Sequence, residues 1–445
     1  MNNNSWCLLL GLLLVIGYCK ADTKVWNCKY LSNDLIDLKL VPEIGGRVLQ
    51  YKLGDYGFYY VNKDLYDKKP PASGLGPENS WLNYGGDKLW LAPQGWSNEK
   101  QWPGPPDPVL DGQPYKIEII NNKKVRLTSR EDLRSGVKLS RTIEIFDGTT
   151  RVSIDATMKN IDTKTRRWGI WAHTQFYAGN RHGKGYNKNY WAYCPINENS
   201  IFQKGYGVQY GLVNNISYKP DYDKGIMKVH YQRRVGKIGL DSAAGWTATV
   251  DGTDGYVFIQ RFTYKPEKTY PDNSSVEIWM DGLGEFVAWG EINRITNDDP
   301  SVTPYNFENE LISPYATLKP SEEYSFHYDW YSAKIPARKE IVNCSNVGVI
   351  CQPLDVIYKE EEMNITGKFG VFYEGTIKAV FLNQEEKVVK ESFPGISVSP
   401  LESLNLSLKI SRHKELSQAK AVSIVVCDKN KKALGELDRV SILSD

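Results

Sequence analysis

Apolar and polar positions alternate in short runs along most of the chain. Ile36, Leu38 and Leu40 alternate with Asp37 and Lys39, the period of a half-buried strand. The same period recurs at 115–120, 125–129 and 137–146, where Asp147-Gly148 makes a hairpin turn. At 151–158 the inner face is Val152, Ile154, Ala156 and Met158. Further strands are predicted at 168–176, 224–232, 247–250, 256–262, 276–280, 307–312 and 322–330. Gly45-Gly46 marks a turn or bulge between two early strands. The polar segment 180–210 reads as a loop excursion over one sheet. Long helical patterns are missing. The pattern predicts an all-β antiparallel meander large enough for a two-sheet sandwich.

A break falls between residues 332 and 347, where 334–340 is charged and contains proline. Beyond it, 369–373, 376–382, 404–410 and 421–426 read as strands, enough for a small accessory β-sandwich. The predicted organisation is a leader over 1–21, a large domain over 22–335 and a small one over 345–445. The two folded units are expected to be separable near Ala333 to Asn343.

Composition supports the β reading, with aromatics at 12% and 28 tyrosines. The 55 basic and 53 acidic residues leave a formal charge of +2 without a dense basic run, which argues against a nucleic-acid partner. Cys7 to Tyr18 is an apolar run of signal-peptide length, with cleavage expected after Ala21. The expectation is a secreted protein. The alternative is a lipid anchor at Cys19 in a bacterial envelope, against which Tyr18 is large for such a site. No later run is long and apolar enough to span a bilayer.

Export permits disulfides, and Cys344–Cys351 is the expected bridge among the five cysteines that follow the leader. Asn215, Asn273, Asn343, Asn364 and Asn405 are glycosylation acceptors. No cysteine or histidine spacing forms a zinc pattern, and no metal or cofactor is expected.

Candidate chemistry concentrates in Trp81 to Trp102, which holds Trp81, Trp90, Trp96 and Trp102 among amides, Gly85-Gly86 and the pair Asp87-Lys88. The proline-rich 103–108 follows, so the stretch reads as a shaped loop region. Flat aromatic faces stack on the C–H side of a sugar, while amides and charges bond its hydroxyls. A core role for the tryptophans is the rival explanation. In 168–176, Trp168, Ile170, Ala172 and Phe176 share one face and Trp171, His173 and Gln175 the other. Glu308 and Glu310 share one face of 307–312.

Three segments give the first domain a family likeness. They are Ile44-Gly-Gly-Arg-Val-Leu49, Asn160-Ile-Asp-Thr-Lys-Thr-Arg-Arg-Trp-Gly-Ile-Trp-Ala-His173 and Glu310-Leu-Ile-Ser-Pro-Tyr-Ala-Thr-Leu-Lys-Pro320. In that order they resemble the galactose mutarotase-like superfamily, the aldose 1-epimerase group. The stretch ending at Trp90 is most similar to a branch defined by a domain of unknown function. The resemblance implies a large antiparallel β-supersandwich with a carbohydrate cleft on one concave sheet. It also implies Glu310 as base and His173 as acid of an anomer-exchanging enzyme. Asp87, Lys88, Gln175 and Asp281 would hold hydroxyls, and Trp90 and Trp171 would stack. The chain departs from the family in that no histidine precedes His173. Lys88 would also stand where the family has the arginine of an Asn-Arg-Ile motif, without its guanidinium fork. The function read from the sequence is therefore secreted carbohydrate binding. The alternatives are an aldose epimerase, or a glycan lyase or hydrolase on the same fold.

Overall fold

The computed structural model describes residues 26–76, 80–95, 98, 100–288, 291–359, 362–411 and 414–442. The expected leader, with Cys19, and Trp96 lie outside the described residues.

Two large antiparallel sheets, of 11 and 10 strands, form the first domain. The first sheet contains, side by side, Arg47–Leu53, Asp87–Ala92, Arg166–Tyr177, Asn306–Ile312, Val276–Met280, Gly236–Leu240 and Gly207–Gly211. Its central strand, Arg166–Tyr177, follows the predicted alternation. Trp168, Ile170, Ala172 and Phe176 turn inward and are buried. They meet Leu139, Ile154, Met158, Phe258, Tyr328 and Trp330 from the second sheet in one apolar cluster. This is the all-β two-sheet sandwich expected from the period-2 pattern, and the supersandwich that the resemblance implied.

The structure corrects three local expectations. Asp87–Ala92 lies inside the stretch expected to be a loop, yet it is a strand with every residue buried. Its short sequence alternates Lys88 and Trp90 with Leu89 and Leu91, and both faces are covered, so its burial hides the strand signal. The segment expected to be a loop excursion contains the strands Tyr190–Pro195 and Gly207–Gly211. Gly236–Leu240, bounded by a glycine and only five residues long, escaped the pattern altogether.

The C-terminal sandwich packs a 4-stranded sheet on a 5-stranded one around its own apolar cluster. A further cluster crosses the junction, joining Trp246, Ile259, Tyr331 and Ala333 to Cys344, Val349, Cys351 and Phe372. The rings of Tyr331 and Phe372 stack at 4.6 Å. Thr150 N donates to Phe372 O at 3.0 Å, and Lys334 N donates to Pro400 O at 2.7 Å. The charged segment between the two sandwiches thus spans a seam that is apolar beneath it.

Cys344 and Cys351 are free thiols, not the expected bridge. In their hairpin Cys344 is opposite Val349, which leaves Cys351 two positions along on the same face. Both thiols are buried in the junction cluster, and burial pushes each up to about 12. Of the five glycosylation acceptors, Asn215 is buried and its amide donates to Val235 O at 3.0 Å. A glycan there would have to break that bond.

Because the seam is apolar, Phe372→Ala should destabilise the protein by about 3–5 kcal/mol, the usual cost of emptying a buried phenyl site. Urea unfolding followed by tryptophan fluorescence, which reports only the first domain, checks this. A midpoint unchanged from the wild type would mean that the seam carries no stability.

Candidate functional site

Strand register assembles the site from residues far apart in sequence. Within the central strand, Trp171, His173 and Gln175 point to the open face of the first sheet. Trp171 lies opposite Trp90, and His173 opposite Lys88, on one neighbouring strand. Gln175 lies opposite Glu308 on the other. One strand further, Glu277 lies opposite Glu310 and Trp279 opposite Glu308. Lys237 follows on the next strand, opposite Trp279. Above these residues is a cavity of about 280 Å3 whose floor includes His173, Glu308, Glu310 and Lys237. Its walls include Trp81, Tyr210, Trp279 and Phe286.

The floor is a chain of charged contacts. His173 Nε2 lies 3.2 Å from Glu308 Oε2 and 3.1 Å from Glu310 Oε1. Lys237 Nζ lies 2.9 Å from Glu310 Oε2 and 2.6 Å from Glu277 Oε2. Gln175 Nε2 and Asn306 Nδ2 each donate to Glu308 Oε1 at 2.8 Å. Lys88 Nζ donates to Gln175 Oε1 at 2.7 Å and so fixes which way that amide points.

Burial and neighbours drive these groups apart. Burial brings His173 down to about 4, against the pull of Glu308, so the imidazole is neutral at physiological pH. Burial alone would raise Glu308, but His173, Lys88 and the Gln175 amide outweigh it and hold its carboxyl below the usual range. Burial pushes Glu310 well above that range, with Glu308 and Glu277 adding to the effect and Lys237 opposing it. Burial and then Glu308 push Asp281, at the cavity wall, up to about 7. Burial and then Arg47 bring Lys88 down to about 7.

Of the residues singled out in the sequence, His173, Glu310, Trp90, Trp171 and Asp281 all border this cavity. Their roles differ from those expected. Trp90 and Trp171 are almost fully buried. The Trp90 ring is 4.1 Å from the His173 ring, with the Lys88 ammonium 4.8 Å away, and the Lys237 ammonium is 4.4 Å from the Trp171 ring. Neither indole face is free for a sugar, and the half-buried Trp81, Tyr210, Trp279 and Phe286 are the open aromatic surfaces instead. Lys88 and Gln175 lie behind the floor and position Glu308 rather than touching the cavity. Asp87 points the opposite way, into the sandwich, where it pairs with Arg141 and accepts from Thr174 Oγ1 at 2.8 Å. It cannot hold a ligand hydroxyl. Trp102 is core, with its indole donating to Asp107 at 2.8 Å.

Sequence reasoning passed over Lys237, Glu277, Trp279, Asn306 and Tyr210. The signal for Glu277 and Trp279 was present, since they alternate with Val276, Ile278 and Met280 as Glu308 and Glu310 do with their neighbours. Among the described residues, His173, Glu308 and Glu310 are the group whose donor atoms, all within 4.8 Å of one another, could meet on a cation. Lys237 already brings positive charge to Glu310, so part of the floor's negative charge is met from within.

The aromatic wall is fixed from behind by Asp111. Its Oδ1 accepts from Arg47 Nη2 at 2.7 Å and from Trp90 Nε1 at 3.1 Å, and its Oδ2 accepts from Trp81 Nε1 at 2.8 Å. Asp111→Ala strands a buried guanidinium and frees both indoles. The expected loss is about 3–5 kcal/mol of stability, with altered tryptophan emission. Guanidinium unfolding measures it. A loss of about 1 kcal/mol or less, as for an exposed pair, would show that the carboxylate does not hold the wall.

Known structures similar to this one include a galactose mutarotase-like protein from Lactobacillus casei, at 11% identity and TM-score 0.43 over 68% of this chain and 99% of that one. A galactose mutarotase related enzyme from Lactobacillus acidophilus matches at 10% and 0.41, covering 68% and 96%. The GalM/aldose epimerase homologue from C. elegans matches at 9% and 0.42, covering 69% and 99%. Likenesses this distant carry no chemistry across. No curated protein sequence matches the chain. Residues 28–332, the whole first sandwich with the site, match the family model described as Domain of unknown function (DUF4380), and the chain belongs to that family.

Proposed function

We propose that the cavity binds a carbohydrate and moves protons on it, in the manner of an anomer-exchanging aldose epimerase. The observation that carries this is one imidazole held between two carboxyls whose proton affinities are driven in opposite directions. Such divergence assigns an acid and a base. Glu308, ionised and oriented by Gln175 and Asn306, is the base. The proton kept by Glu310 beside His173 is the one delivered. This exchanges the role first expected of Glu310.

The acid and base sit side by side rather than across a sugar ring. That suffices, because the anomeric hydroxyl and the ring oxygen are attached to the same carbon. Glu308 takes the hydroxyl proton while the Glu310–His173 pair protonates the ring oxygen. The carbon–ring oxygen bond breaks, the aldehyde turns, and the reverse transfers reclose the ring. Trp81, Tyr210, Trp279 and Phe286 offer the apolar faces that a sugar's C–H side needs. A binding-only role is supported by one feature, the ion-pair contacts that both carboxyls already make with protein groups. The apolar run Cys7 to Tyr18 supports the further proposal that the protein acts after export.

The test is polarimetry of freshly dissolved single anomers of common aldoses. The wild type is expected to accelerate their equilibration. Glu308→Gln should lower the rate about a hundredfold to ten-thousandfold, the usual worth of a positioned base, with affinity little changed. Acceleration absent for every sugar that binds would leave the binding-only role standing.

Asp281 adds a pH signature. Its carboxyl is raised to about 7, so it donates a hydrogen bond to a sugar oxygen below that pH and ionises above it, facing Glu308. Affinity should therefore fall as pH rises from 6 to 8. Asp281→Asn, which donates at every pH, should flatten the profile. Lys88 titrates in the same range but lies behind the floor, so calorimetry on this variant separates the two. A slope that survives Asp281→Asn would remove Asp281 from the site.

A further inference from the structure

We propose that the ligand continues past Trp171 into a second cavity, and that the unit it places there is a sugar carrying a free amine. This rests on the carbohydrate reading of the first cavity. The second cavity has a volume of about 210 Å3 and shares Gln94, Trp171, Tyr210 and Lys237 with the first, of about 280 Å3. Trp171 and Tyr210 therefore border both, and the half-open ring of Tyr210 is the aromatic surface that a ligand crossing between them meets. The two spaces are comparable in size, which fits one sugar unit in each.

The second cavity is short of positive charge. Glu277 accepts from Gln209 Nε2 at 2.7 Å and pairs with Lys237 at 2.6 Å. Lys237 is also shared with Glu310, at 2.9 Å. With Glu310 keeping its proton, that ammonium balances Glu277, and Asp272 brings a further carboxyl to the same cavity. Among the described residues Asp272 has no cation within ion-pair distance. Asp272 is an exposed residue at the cavity rim, but the protein packed around its carboxyl and then Glu277 push that group up to about 6. Asp272 and Asn273 adopt φ of 51° and 54°, the left-handed region that favours glycine and that functional sites hold at a cost. At the partition itself, the Trp171 indole N–H is buried without an acceptor. A ligand bringing an ammonium to Asp272 and Glu277 would balance the charge. A hydroxyl or an acetamide can donate to the carboxylates but brings no charge to offset them, whereas an ammonium does both.

Calorimetry on the full chain tests this. The probes are hexosamines, their deacetylated disaccharides and the N-acetylated counterparts, in gluco and galacto configurations. The deacetylated disaccharide should bind about tenfold more tightly than either the monosaccharide or the acetylated disaccharide, the worth of one charge-assisted bond. Asp272→Asn should erase the preference for the amine and leave monosaccharide affinity unchanged. Asparagine tolerates the left-handed backbone, so this variant keeps the fold. Disaccharides that bind no better than monosaccharides would overturn the second subsite. A preference for the acetylated form, or an amine preference that survives Asp272→Asn, would overturn the amine assignment. Failure of every sugar to bind, monosaccharides included, would instead sink the carbohydrate reading of the first cavity.

Discussion

The site depends on how negative charge is buried on the open face of the first sheet. Glu277, Glu308 and Glu310 lie on two adjacent strands, all nearly inaccessible. Isolated carboxylates cannot persist in such a place without a partner. Lys237 bridges Glu277 and Glu310, and His173 bridges Glu310 and Glu308. The inner face of the same sheet holds Asp87 against Arg141, and behind the aromatic wall of the open face Asp111 lies against Arg47. Each of these two acids has its own guanidinium. On the open face the acids outnumber the cations, and burial, reinforced by neighbouring carboxylates, raises the carboxyls of Glu310, Asp281 and Asp272. A sheet that leaves its balance incomplete only where a cavity opens is prepared for proton transfer or for a ligand that brings hydrogen-bond donors.

The aromatic residues divide their work along the same lines. Trp90 and Trp171 cover the ammonium groups of Lys88 and Lys237 and exclude water from the ion pairs. This keeps the local dielectric low, which is what displaces the pKa values. The rings left half open, Trp279 and Phe286 edge to face at 5.9 Å and Tyr210 at 6.0 Å from Trp279, line the open cavity. Phe286 comes from the hairpin of Gly284–Ala288 and Glu291–Ile295, which stands apart from both large sheets. The wall is therefore assembled from two strand residues, Tyr210 and Trp279, a hairpin and the tryptophan segment, while the floor is all strand.

This division explains what was legible in the sequence. Period-2 alternation placed His173 and Gln175 on one face, and Glu308 with Glu310 on another, because long half-buried strands print their faces directly. It also separated Trp168 from Trp171 correctly. Asp87 was misplaced because alternation was not applied within the tryptophan segment. Read as the strand Asp87–Ala92, it puts Asp87 on the face opposite to Lys88. Lys237 was not legible, because Gly236–Leu240 is too short to show a period and its importance comes from register with strands far away in sequence. The stacking roles of Trp90 and Trp171 failed for a different reason. Composition identifies an aromatic ring but not which of its faces a lysine or histidine already covers. The charged segment between the two sandwiches was visible in the sequence, whereas the apolar seam beneath it depends on Phe372 meeting Tyr331, a pairing that no local pattern encodes.

The geometry of the floor also weighs between reactions open to a pair of glutamates. Hydrolysis of a glycosidic bond needs two carboxyls flanking that bond, about 5–5.5 Å apart when the anomeric configuration is retained and further when it is inverted. Donor atoms of Glu308 and Glu310 do lie within 4.8 Å of each other, but His173 Nε2 is at 3.2 Å and 3.1 Å from them and fills the interval. The two side chains project the same way from positions i and i+2 of one strand, so neither can approach a sugar from the face opposite the other. A bond cannot be placed between them without expelling the imidazole. Two oxygens attached to one carbon, by contrast, need an acid and a base that arrive from the same side, close together and with a proton to share. The contacts of His173 favour that second task.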